Sequence, residues 1–95
     1  MVAYVIADVT IANPAGYENY KKLAAAAIAK HGGRYLVRGG PSEVLEGTWT
    51  PGRMVVLEFP SLEQARAFYT SVEYTQARRA RAETARANFI VVEGV

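Results

Sequence analysis

The chain has no cysteine, one histidine and one tryptophan among its 95 residues, and no long uninterrupted apolar run. Without cysteine there is no disulfide, thiolate zinc site, iron–sulfur cluster or cysteine nucleophile. A single histidine, His31, excludes a histidine-rich metal site or a multi-histidine relay within one chain. Neither a metal nor a cofactor is expected. The apolar start, Met1 to Ala7, lacks a basic flank and meets Asp8 too early for a signal peptide or a membrane span. A cytoplasmic location without a membrane partner is therefore the expectation. Charge of one sign is also lacking. Residues 1–60 carry six basic against five acidic side chains, residues 61–95 five against four, and the net charge is +2. So small an excess gives nucleic-acid binding little support.

What is present suits a folded domain: 51% of residues are hydrophobic and 21% charged. One domain of this size buries only ~60–65% of its unfolded surface, so self-association is an easy way to add buried area.

Residues 2–11 alternate, with Ala3, Val5, Ala7, Val9 and Ile11 on one face and Tyr4, Ile6, Asp8 and Thr10 on the other, which predicts a strand. Asn13-Pro14 is a helix start, and apolar groups at three- and four-residue steps from Tyr17 to Ile28 predict an amphipathic helix reaching His31. Gly32 caps it. A second strand is expected over 34–39, a long loop over 41–52, and a third strand over 53–59. Ser61 and Gln64 at capping-box spacing start another helix, with a break near residues 72–74 and helical character resuming to about Ala87, where Arg79 and Glu83 form a surface pair. Residues 89–93 are the last strand.

The order strand, helix, strand, strand, helix, strand matches a split βαβ arrangement. Right-handed crossovers place the third strand between the first and second and the fourth outside the first, giving a four-stranded antiparallel sheet with helices on one face. Val55, Leu57, Phe59, Ile90 and Val92 are expected beneath the helices. Tyr4, Ile6, Asp8, Leu36, Arg38, Met54, Val56, Glu58, Phe89, Val91 and Glu93 are left for the open face. A surface so apolar suggests a two-fold homodimer, sheet against sheet.

Several stretches, Tyr4 to Val9, His31 to Gly40 (HGGRYLVRGG), Glu46 to Pro51, Arg53 to Ser61 and Ala67 to Tyr74, resemble the "domain of unknown function 1330" family over nearly the whole chain. The resemblance implies an α+β fold of ferredoxin-like topology forming a dimeric α+β barrel. The wider superfamily includes small monooxygenases, isomerases and dehydratases beside proteins that only bind ligands, so it assigns no reaction.

Asp8 and Arg38 are the catalytic candidates. Arg38 offers a forked contact to an anionic or carbonyl group and Asp8 a base, while Arg53 approaches the same rim as a ligand-binding residue. The alternative role for all three is a salt-bridge network between subunits. Trp49 with Glu46 is read as a lid over a pocket or as an anchor to the partner subunit. Tyr20 is a ligand-binding candidate through its hydroxyl, as are Tyr69 and Tyr74, although their helical spacing favours ordinary core or interface packing. His31, at a helix C-terminus, suits capping as well as ligand binding or general-base work. Arg78, Arg79, Arg81 and Arg86 read as a solvated face, with Arg81 pointing inward. The expected function is binding of a small polar or anionic organic ligand at the rim between the sheet and the 41–52 loop, with cofactor-free acid–base chemistry as an extension. The rival is a non-catalytic dimer whose polar network fixes subunit pairing.

Overall fold

A computed structural model describes residues 1–95. The predicted alternation forms β1 (Ala3–Ile11), in which Ala3, Val5, Ala7 and Val9 are buried. Asn13 caps α1 (Pro14–Lys30) by accepting from the Gly16 amide at 3.1 Å, and Tyr17, Tyr20, Ala24, Ala27 and Ile28 form its buried stripe. At its end Gly32 takes a φ of 78°, a left-handed conformation that glycine adopts without steric cost. β2 (Arg34–Arg38) and β3 (Arg53–Phe59) follow, joined by residues 39–52. Ser61 caps α2 (Leu62–Thr70). Ser71, with an extended ψ of 158°, both ends α2 and caps α3 (Val72–Arg81). Its hydroxyl donates to the Phe68 carbonyl at 2.7 Å and accepts from the Tyr74 amide at 3.1 Å. β4 (Ala85–Glu93) completes the chain.

The strand order is β2-β3-β1-β4 with every neighbouring pair antiparallel, the predicted ferredoxin-like βαββαβ topology. Helices cover one face only, and the Cα trace measures 32 × 31 × 17 Å, a two-layer slab. Between the layers, Phe59, Phe68 and Tyr74 stack at ring-centroid distances of 5.0 and 4.4 Å.

Three expectations are corrected. Helix α3 stops at Arg81 instead of running to Ala87, because the Thr84 amide and hydroxyl both turn back to the Arg81 carbonyl and residues 85–87 pair with β1. Tertiary pairing overrides a helix-prone alanine and arginine run. With the helix ended, Glu83 lies beyond it and makes no ion pair with Arg79.

The facing of β4 is the second. Ala7 stands opposite Phe89 and Val5 opposite Val91, and directly opposed residues share a face, so Phe89 and Val91 lie on the helix side. Ile90 and Val92 face outward, 60% and 45% exposed.

The third concerns β2. Its register slips between Tyr35 and Val37, leaving Tyr35 opposite Leu57 and Arg38 opposite Val55. This bulge turns Arg38 to the helix side, away from the open face shared by Arg34 and Val37.

A crevice between sheet and helix lined by tyrosine and arginine

The bulge and the α1 stripe converge at one end of the sheet. Arg38 stacks over the Tyr35 ring at 4.3 Å, and Arg53, opposite Val9, lies over the Tyr17 ring at 5.7 Å and reaches its hydroxyl at 3.4 Å. Stacking engages the face of a guanidinium and leaves most edge N–H donors free. No carboxylate lies within 4.0 Å of either arginine; the ion pairs of the fold are Glu18–Lys21, Glu73 with Lys30 and His31, and Glu58–Arg34. Both arginines border a narrow crevice between β-sheet and α1 whose walls include Tyr17, Tyr20, Tyr35 and Tyr74. Its free space is ≈20 Å³, room for about one water. Burial pushes the Tyr35 phenol above its ordinary value of 10, although Arg38 and Arg53 pull the other way. Tyr20 and Tyr74 are raised as well, first by burial.

Asp8 sits at the same end but on the opposite face of the sheet. One carboxylate oxygen accepts from the Trp49 indole at 2.9 Å and the other from the Gly52 amide at 2.8 Å. Asp8 thus ties the 39–52 loop to the sheet. A Cβ on Gly52 would collide with the Val9 carbonyl oxygen, so this crossing admits only glycine. Gly39, at the other end of the loop, packs against Arg53, and the loop therefore leaves and returns beside the crevice mouth.

Of the sequence-predicted residues, Arg38, Arg53 and Tyr20 come together in the crevice. Trp49 joins Asp8 on the other face. Glu46 is exposed on the loop with no ion pair. His31 lies at the far end of α1 from Tyr17, about 21 Å of helix away, where its Nε2 meets Glu73 at 3.1 Å. Tyr17, Tyr35 and Lys21 also line the crevice and escaped the sequence reading as site residues. Tyr17 and Lys21 stand on the same α1 stripe as Tyr20, which is a usable signal, whereas nothing in the sequence announces the bulge that sets Arg38 on Tyr35.

A model of a family described as a domain of unknown function (DUF1330) matches residues 2–95. The chain belongs to the DUF1330 family. No curated protein matches it by sequence. Among solved structures this DUF1330 chain is similar to a protein of unknown function from Rhodopseudomonas palustris (TM-score 0.75, 17% identity, 99% of this chain and 82% of that one covered). It is also similar to a dimeric ferredoxin-like protein of unknown function from Jannaschia sp. (TM-score 0.70, 10% identity, 99% and 100% covered). A cofactor-independent oxygenase from Streptomyces nogalater has a TM-score of 0.68 and 12% identity, with 99% and 93% covered. Likenesses this distant establish the fold and leave the chemistry open.

Proposed function

We propose that this DUF1330 protein is a homodimer that binds a small organic anion at the crevice mouth, with Arg38 and Arg53 holding the anionic group. The observation that carries this reading is the pair of guanidiniums, each steadied on a tyrosine ring and neither matched by a carboxylate. A fixed fork of N–H donors beside an aromatic wall suits a carboxylate. Arg38 is exposed at the mouth, and a ligand larger than water requires the crevice to widen beyond its ≈20 Å³. Asp8 and Trp49 set the loop that flanks the mouth. Asp8, with both oxygens occupied and on the opposite face of the sheet, is a weak candidate for a base in the crevice, and the crevice phenols, kept protonated by burial, serve as hydrogen-bond donors. Acid–base chemistry without a cofactor is compatible with this arrangement, and the oxygenase of similar fold is cofactor-independent.

Titration with pentanoate and benzoate, followed by calorimetry, tests the reading. Saturable binding is expected, weakened ~10–100-fold in Arg53→Ala, the worth of one charge-assisted hydrogen bond. No saturable binding by the wild type, or equal binding by Arg53→Ala, overturns it.

The structural-dimer reading draws on a different observation. Arg34 donates to Glu58 at 2.8 Å on the open face, a polar pair placed to register two sheets. If that is its role, Arg34→Ala lowers the mass seen by light scattering without touching anion binding.

A further inference from the structure

At the inner end of the crevice, Tyr20 and Tyr74 are 7% and 1% exposed, with hydroxyl oxygens 2.7 Å apart. Arg81 reaches in from α3, donates Nη1–H to the Tyr74 hydroxyl at 3.3 Å and lies over the Tyr20 and Phe89 rings at 5.4 and 5.1 Å. It has no carboxylate within 4.0 Å. A guanidinium only donates, so Tyr74 accepts from Arg81. The two phenols then hold two protons and share one mutual hydrogen bond. Whichever phenol donates across that bond, the other keeps an O–H with no acceptor in the protein. Both tyrosines line the crevice, so an acceptor placed there can meet the spare proton. Ionisation does not remove it, since burial raises both phenols above their ordinary value of 10.

The inner end is thus a group of donors in want of an acceptor, while the mouth carries Arg38 and Arg53. We infer that the Tyr20–Tyr74–Arg81 chain receives a carbonyl oxygen of the ligand, so that the crevice, on widening beyond its ≈20 Å³ at rest, takes small oxo carboxylates. This rests on the anion-binding reading above and adds to it a second point of recognition. Arg81 acts through Tyr74 and is a positioning residue; the hydroxyl with the spare proton makes the contact. A ligand lacking the second oxygen leaves that proton unmatched, and discrimination of this kind is large when the site is buried.

The test compares pentanoate with 2-oxopentanoate and 4-oxopentanoate, which keep chain length and charge constant. At least one oxo acid is expected to bind tenfold or more tightly than pentanoate to the wild type, and the ratio to fall to about one in Tyr20→Phe and Tyr74→Phe. The bound ligand's carbonyl ¹³C resonance should move downfield in the wild type and lose that displacement in Tyr20→Phe, a readout that a merely structural tyrosine would not alter. If Tyr74→Phe does not fold, Tyr20→Phe and the carbonyl shift carry the test. Equal binding of all three acids by the wild type, or a preference that survives Tyr20→Phe, shows that water alone serves the spare proton and overturns the inference. In that event pentanoate binding that is lost in Arg53→Ala leaves the anion reading standing. Failure of every acid to bind the wild type removes both.

Discussion

Single residues in this protein are set by what their hydrogen-bonding groups lack. Arg38, Arg53 and Arg81 have aromatic faces beneath them and no carboxylate beside them, whereas Glu73 has two donors. Hydrogen bonds from Lys30 at 2.8 Å and His31 at 3.1 Å hold the Glu73 carboxyl down at about 2, below its ordinary 4.5. A carboxyl whose folded pKa is lowered contributes stability above its ordinary value and loses it as the pH falls through the folded one. Thermal melts between pH 5 and pH 2 should therefore show the midpoint falling more steeply in the wild type than in Glu73→Gln, with the two curves converging near pH 2. Parallel curves would mean that Glu73 is not linked to folding. The cluster also explains His31: at the helix C-terminus it cross-links α1 to α3 through Glu73, a contact that the sequence reading of a helix cap did not foresee.

Elements show where periodicity was enough and where it was not. Helix α1 was legible because Asn13, Pro14 and Gly32 mark its ends and its apolar groups repeat every three or four residues. β2 was legible as a strand but not in its facing, since one slipped residue reverses every side chain beyond it. Arg38 changes face for that reason. β4 misled in a similar way, because Phe89-Ile90-Val91-Val92 is apolar throughout and has no alternation from which a phase can be read. The 41–52 loop was expected to matter. Its tether is Asp8, yet Trp49 remains 61% and Leu45 90% exposed. Asp8→Ala should free the loop at a cost of about 1 kcal/mol, seen as a red shift of Trp49 emission and faster quenching by iodide. An unchanged spectrum would show that other contacts hold the tryptophan.

At the scale of the whole molecule, the slab has one finished face and one unfinished face. Val37, Val56, Ile6 and Ile90 stand side by side across all four strands on the side without helices. The row next to it holds Arg34, Glu58, Tyr4 and Val92. An apolar band spanning a sheet is a surface that a second copy covers well under two-fold symmetry, each residue then counting twice. Ile90→Asp should accordingly weaken the proposed homodimer by tenfold or more, because a carboxylate buried at such a seam has no partner. Light scattering over a dilution series reads this directly, and a wild type that runs as a monomer at all concentrations would refute the assembly. No helix is long and apolar enough to cross a membrane.

Sequence alone determined the order of elements, the strand order and the apolar faces of β1 and β3, because side-chain period, capping residues and chain connectivity are local properties that leave local marks. It also brought Arg38, Arg53 and Tyr20 into consideration. The tertiary structure decided which of them meet. A one-residue bulge put Arg38 against Tyr35, the end of α3 at Arg81 let residues 85–87 join the sheet, and the pairing of Tyr20 with Tyr74 joined residues 54 positions apart. Such contacts depend on register and packing between distant segments, where a shift of one residue changes the partner without changing the pattern.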